Sequence, residues 1–474
     1  MNVTFKAVPS IIRAFTFFTV LFFVQCSEEQ LLLTSNSTLT TSTTAGSTTL
    51  TTDSGCGCTY TVPANTYRVD GIALGIKPGA VICLKASLSY LNIVFSNMRG
   101  TASSPITIKN CGGTATLKAT GRTFGLKTQY SSFLKITGGN TVGVYGIKVI
   151  GGHQTIQLGD LTSDVEIDHL DVGYSGFAGI MAKTDPTCDT ATHRGNFVMR
   201  NVILHDNYVH DTAGEGIYVG HTFYVKGANT NCGVRLPHVV EGVKIYNNLI
   251  KNSGWESIQI GSTPTGAEVY NNRIENYGAK DSKYQNNGVQ FGEGAPGKFY
   301  GNYIKGGKGI GLMILGNADV LVHNNVILNT GSHGIFCDER TAVGPGFTFL
   351  NNTIVNPGGD GIRIYAETVP MNIVYNNIIV NPKSYSTYVY PRTGNDAYVY
   401  LLAKTVPVKI LNNTFTRDVN APKFVSPSTY NYKLGTASPL INKGTSIAVY
   451  NILLDHALTA RLKGTQYDVG AYEY

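Results

Sequence analysis

An asparagine recurs at positions 207, 248, 272, 302, 325, 352, 377 and 413, most intervals running from 23 to 30 residues, and this repeat constrains the fold more than any other feature. Aligned on it, HDNYVHDTAGEGIYVGH, YNNLIKNSGWESIQIGS, YGNYIKGGKGIGLMILG, HNNVILNTGSHGIFCDE and LNNTIVNPGGDGIRIYAE are variants of one unit. Behind each asparagine from 207 to 352 come an aliphatic residue two positions on, a glycine-rich bend and a second short aliphatic strand. That strand begins at Ile217, Ile258, Leu312, Ile335 and Ile362, and an insertion delays it to Val289 in the repeat of Asn272. Short alternating strands between Gly/Asn bends cannot bury an apolar face singly, so they are expected to stack into a solenoid. The asparagines are then expected to face inward and to hydrogen-bond along the axis between strands about 4.8 Å apart. A leucine-rich repeat would need a Leu-x-x-Leu-x-Leu pattern, which is lacking. By length alone 474 residues would suggest about three domains at roughly 150 residues each, but a repeat grows without dividing.

The N-terminal part is not repetitive. Lys6 and Arg13 precede the apolar run Ala14 to Val24, which is short for a membrane span and has the layout of a secretory signal over residues 1–25. FFVQC resembles a lipobox, and the resemblance implies lipidation at Cys26, with Ser27-Glu28-Glu29 similar to a surface-export tag. Residues 26–55 are almost all small hydroxyl residues in the stretch TSNSTLTTSTTAGSTTLTTDS, too poor in apolar surface to order, and read as a flexible tether. The expectation is an exported protein, an outer-membrane or cell-surface lipoprotein held to the membrane by its lipid, alternatively a secreted one. A net charge of +7 without a long basic run gives no argument for nucleic acid and suits acidic partners weakly.

Cysteines agree with export. Cys56, Cys58, Cys83 and Cys111 lie near the start of the body with their pairing open, while Cys188 and Cys232 fall in two long inserts, KTDPTCDTATHRGN and FYVKGANTNCGVRLPH. Both inserts leave successive coils just after the second strand and should project from the same edge, so a Cys188–Cys232 disulfide is expected in an oxidising compartment.

GTASSPITIKN (100–110) resembles the early-coil segment of polysaccharide lyases, and NYKLGTASPLINKGT followed by YDVGAYEY resembles the closing segment of bacterial surface β-helix proteins. The chain thus resembles the pectate-lyase-like right-handed parallel β-helix proteins. The resemblance implies an all-β solenoid over residues 56–430, a closing segment over 431–474, and a polysaccharide, expected to be acidic, as partner of a monomer. WESIQIGS (255–262) is similar to a segment of the alginate- and chondroitin-lyase-like family. The next coils, NNGVQFGEG and GIGLMILG, depart from that family's calcium and lysine/arginine pattern, so no catalytic residue is carried over.

In a stacked solenoid function is sought in columns. Before the second strand the column reads Glu215, Glu256, Asn287, Ile310, His333, Asp360, and the outward position of that strand reads Tyr218, Gln259, Gln290, Met313, Phe336, Arg363. Two glutamates one strand spacing apart repel unless a cation or a proton intervenes. Glu215, Glu256 and Asn287 would therefore hold calcium, or the two acids a shared proton, against the plainer alternative of two solvated side chains at a bend. Elimination from a uronic-acid polymer needs a neutralised carboxylate and a nearby base, for which His210, His221 and Lys251 are candidates; His210 and Lys251 can equally form a charge ladder with Glu275 and Lys305. Tyr218, Gln259, Arg194, His238 and Trp255 are the candidate substrate contacts, Trp255 either stacking on a sugar or packing under the loops. A polysaccharide lyase is the first expectation and a glycoside hydrolase the second. A non-catalytic glycan-binding or adhesive surface protein is the alternative.

Overall fold

The computed structural model describes residues 55–474 apart from 122, 140–142, 342–343 and 388–396. The expected signal segment, Cys26 and the expected tether up to residue 54 lie outside the described residues. The body is a right-handed parallel β-helix. Its strands fall into three parallel sheets of 13, 12 and 12 described strands, each ordered as in the chain. One coil contributes a strand to each sheet in turn, as in Val202–His205, Tyr208–Thr212 and Ile217–Val219.

The strands are short because three residues suffice to cross one face. In Ile258–Ile260 the two isoleucines are fully buried in the core and Gln259 between them points outward. The partners of Ile258 along the third sheet are Ile217 and Val289, then Leu312, Ile335 and Ile362, so the aliphatic column of the sequence is one continuous inner ridge. Each such side chain contributes roughly 1.5–3 kcal/mol on burial.

The Asn-Asn pairs have two separate causes. Asn247, Asn271, Asn324, Asn351, Asn376 and Asn412 adopt left-handed backbone, φ 50–59°, to turn the chain between the first and second sheets, and in one coil Gly301 takes that place at φ 64°. Asparagine tolerates this conformation better than other non-glycine residues. The second asparagine of each pair points inward. Nδ2 of Asn207 donates to Oδ1 of Asn248 at 3.1 Å, and the chain of bonds continues through Asn272, Asn302, Asn325, Asn352 and Asn377 to Asn413 at 2.9–3.1 Å. Each Oδ1 also accepts a backbone amide of the preceding coil, as from Asn272 N to Asn302 at 3.0 Å. The ladder therefore satisfies backbone groups that a turn would otherwise leave buried and unpaired.

Outside the first sheet, His205, Tyr246, Tyr270, Tyr300 and His323 form one stack with centroids 4.6–4.9 Å apart and planes within 3°. At the start of the body Cys56 is bonded to Cys111 and Cys58 to Cys83. Regular coils end at Thr414–Thr416, short of residue 430. The closing segment does not stack on the end. It folds back along the outside, where Asn324, Asn376 and Asn412 donate to the carbonyls of Leu454, Thr445 and Lys443 at 2.7–2.9 Å, and a buried Arg461–Glu473 pair, 3.0 Å, fixes it.

Candidate functional site

Glu215 and Glu256 occupy the bend between the second and third sheets in successive coils. The backbone amide of Gly216 donates to the carbonyl of Glu256 at 3.0 Å, which sets the two residues one rung apart. Their side chains lie outside the core but are not solvated, with relative exposures of 1% and 0%. The neighbouring Tyr218 belongs to a small outer cluster with Phe177, Ala178 and Met181. Gly214 leaves no side chain in its own rung, so the rings of Phe177 and Trp255, from the coils on either side, meet edge to face across it at 5.6 Å.

Burial pushes the Glu215 carboxyl up to about 7, with Lys183 working against the rise. It pushes Glu256 up to about 8, and the charge of Glu215 adds to the effect. Both Oε2 atoms are buried without a hydrogen-bond partner. Oε1 of Glu256 accepts Nδ2 of Asn287 at 3.0 Å, while Oδ1 of Asn287 is taken by the amide of Ile310 at 3.2 Å. The expected three-ligand calcium site loses its third member for this reason: Asn287 turns its nitrogen, not its oxygen, toward the acids. Two buried carboxyls and an amide donor suit a retained proton better than a hard cation.

Beside the pair stands a charged group, Lys183, Asp185 and His221, of which His221 alone is among the expected site residues. Lys183 Nζ lies 4.9 Å from the Tyr218 ring centroid and 2.7 Å from Asp185. Burial opposes its charge, but Asp185, Tyr218 and Glu215 outweigh it and keep the ammonium protonated beyond its usual range. Lys183 and His221 hold Asp185 well below the usual carboxylate range, although its side chain stays more than half exposed. Nε2 of His221 is 3.4 Å from Asp185, while its Nδ1 accepts the amide of Phe223 at 3.2 Å, which assigns the proton of the neutral ring to Nε2. Burial lowers the pKa of His221. Asp185 escaped the sequence reading because it sits in an insert without periodicity; its one signal was its place two residues after Lys183.

The structure distributes the other expected residues differently. His210 lies on the second sheet, its ring bonded to Asp171 at 2.8 Å and Asp211 at 2.7 Å, and Lys251 pairs with Glu275 at 3.1 Å. Both are members of an ion ladder on another face, so neither is delivered to the glutamates as a base. Arg194 and His238 were expected to touch substrate. Instead Arg194 donates to the carbonyls of Pro237 at 3.2 Å and Tyr224 at 2.7 Å. His238 accepts the amide of Thr184 at 2.9 Å through Nε2, and burial lowers its pKa to about 4. They brace the inserts, which Cys188 and Cys232 join by a disulfide with Cα atoms 5.6 Å apart.

A second acidic group, Glu166, Asp168 and His205 on the first sheet, has ligand atoms close enough for a metal. The Lys135 ammonium bonds Glu166 and lies 3.2 Å from Asp168, supplying the positive charge a cation would bring.

This architecture makes the chain a right-handed parallel β-helix protein. Residues 232–415 match the family model described as the right handed beta helix region. Among solved structures it is similar to pectate lyase Pel9A, at 14% identity and a TM-score of 0.46 over 85% of this chain and 90% of that one. It is also similar to the GH136 lacto-N-biosidase from Eubacterium ramulus, at 13% and 0.47 over 75% and 68%, and to the alginate lyase from Paenibacillus sp. str. FPU-7, at 20% and 0.33 over 55% and 94%. No curated protein matches the sequence.

Proposed function

We propose that the protein is a polysaccharide-active enzyme whose site is the outer edge of the third sheet at Glu215 and Glu256, and that its reaction is elimination on a uronic-acid polymer. One observation carries the reading: two buried carboxyls in adjacent rungs, raised to about 7 and about 8, each with an unpartnered oxygen. Ionised carboxylates would repel a uronate, whereas carboxyls that keep a proton near neutral pH can donate to it. Lys183 supplies fixed positive charge, and the neutral His221 ring, whose Nδ1 is already an acceptor, is oriented by Asp185. In elimination Nδ1 of His221, giving up its bond from the Phe223 amide, takes the proton next to the uronate carboxylate, the electron pair forms the new carbon–carbon double bond, and the glycosidic oxygen leaves and is protonated. Glu256, holding the higher pKa, is suited to donate that last proton, for which its fully buried carboxyl must be uncovered as the substrate seats.

The test is to assay the purified body against pectate, alginate and chondroitin polymers, with and without chelator, reading the ultraviolet absorbance of unsaturated uronate ends. Turnover lost in both Glu215→Gln and Glu256→Gln supports the site. Turnover unchanged in both moves the chemistry elsewhere, and new reducing ends without unsaturation would make the enzyme a hydrolase.

A further inference from the structure

The bend that carries the glutamates continues toward the N-terminus into a surface cavity. The residues three positions before each third-sheet strand form a column, and in successive coils it reads His153, Phe177, Gly214 and Trp255. The coils are held in register by the pairs Ile156 with Ile180, Ile180 with Ile217, and Ile217 with Ile258. Three rings in this column touch: His153 and Phe177 have centroids 5.2 Å apart, Phe177 and Trp255 5.6 Å. All three are partly exposed. Next to the row, Gly121, Gly152, Gly176 and His153 line an open cavity of about 300 Å³. Gly152 has φ 83°, and a Cβ there would meet the carbonyl oxygen of Thr123 at 2.5 Å, so this part of the floor must be bare backbone.

Bare backbone beside a row of rings suits a ligand with two kinds of surface, C–H groups for the rings and hydroxyls for the peptide groups. A pyranose has both. The row also ends at the acids, because Trp255 immediately precedes Glu256, and His153 lies two rungs, or about 10 Å, from the rung of Glu215. Gln157 and Lys127 are the outward residues of the third sheet on this side, a polar floor along the same line. A row of rings next to polar groups recognises the sugar ring itself, whatever acid it carries.

We propose that this cavity and the His153–Phe177–Trp255 row form a subsite that seats one sugar ring of the polymer, two rungs to the N-terminal side of the bond that reacts. The inference rests on the reading of Glu215 and Glu256 as the reacting site, but its test does not need turnover. Trp255 is the single tryptophan of the chain, so its fluorescence reports a ligand on the row directly.

Hexameric oligouronates from pectate and from alginate, with cellohexaose as a neutral probe, would be titrated into the Glu215→Gln protein. Saturable change in Trp255 emission is expected, weakened about tenfold when Phe177→Ala removes the middle ring or Gly176→Leu fills the cavity. Gly176 does not occupy left-handed backbone, and a Cβ there would lie 3.3 Å from the Gly152 carbonyl oxygen, which has to give by only about a few tenths of an ångström; thermal midpoints would verify that both variants fold. Lys383→Ala, at a distant cavity, should leave the titration unchanged. Equal affinity in the parent, Phe177→Ala and Gly176→Leu proteins overturns the subsite alone. No spectral change with any hexamer overturns the subsite, while retained turnover of polymer in the wild-type protein would keep the reacting site standing.

Discussion

Asn287 donates its amide hydrogen to Oε1 of Glu256 across 3.0 Å while its own oxygen is taken by the next coil's Ile310 amide. The backbone thus decides which end of the amide faces the acid. With a donor on Oε1, the remaining Oε2 is where a proton or a ligand hydroxyl must go. The pair is built to keep a proton, and this sets its dependence on pH.

Glu256→Gln should stabilise the protein at alkaline pH. The folded pKa, about 8, lies above the ordinary 4.5, so the unfolded chain gives up the proton first. The contribution of Glu256 to stability is fully present below about 4.5 and is lost as pH rises toward 8. Glutamine has no proton to lose, so at pH 9 the variant should be more stable by roughly 2–4 kcal/mol and at pH 4 nearly equal to wild type. Denaturant melts at the two values check this, and a variant equally or less stable at pH 9 would refute the buried neutral acid.

The same ionisation predicts the activity profile. On an acidic polymer kcat/KM should fall as pH rises through about 7 to 8, because both carboxyls then become anions beside an anionic substrate. A profile still climbing at pH 9 would exclude them from the reacting groups.

His210 and Lys251 are held in an ion ladder with Asp171 and Glu275. Their replacement by glutamine and methionine should leave turnover within about twofold, lowering stability by no more than about 1 kcal/mol for the more exposed Lys251 and by roughly 1–3 kcal/mol for the buried His210. A loss of activity of two orders of magnitude in His210→Gln would return it to the site.

The residues explain why some of this was legible and some was not. The inward Asn207–Asn413 ladder and the Ile217–Ile362 ridge follow from period alone, because stacking places equal positions over one another. The stack of His205, Tyr246, Tyr270, Tyr300 and His323 was equally available, two positions before each ladder asparagine, and passed unread. Glu215 and Glu256 could be placed as neighbours, but not their burial. Burial depends on how neighbouring coils pack, as where Phe177 and Trp255 meet across the empty Gly214 rung, and only geometry reveals it. The roles of Arg194 and His238 depended on how two aperiodic inserts fold, for which no column exists.

Within the ladder, Asn302→Ala should be costly. Its Nδ2 reaches Asn325, the Val269 carbonyl and the Tyr300 carbonyl, and its Oδ1 receives both the side chain and the backbone amide of Asn272. Alanine strands several buried groups at once, for an expected loss of roughly 2–4 kcal/mol. Asn276→Ala, in the exposed row where Asn276 bonds Asn252, should cost under about 1 kcal/mol. Urea unfolding of the two variants compares them, and equal losses would deny the inner ladder its role.

Cys188–Cys232 closes a loop across both inserts, the two residues 44 apart in sequence. A closure of that length constrains an open chain by about 4 kcal/mol in the loop-entropy account. The inserts are also held by Arg194 on the Tyr224 and Pro237 carbonyls and by His238 on Thr184, so Cys188→Ser should loosen them without unfolding the coils. The main melting transition should move little, while limited proteolysis cuts the 221–238 insert much faster than in wild type. Since the same inserts carry Lys183, Asp185 and His221 beside Glu215, turnover should fall with the bond, through kcat more than KM if it is the charged groups that lose their positions. Unchanged proteolysis and unchanged kcat together would mean that Arg194 and His238 alone hold the edge in shape.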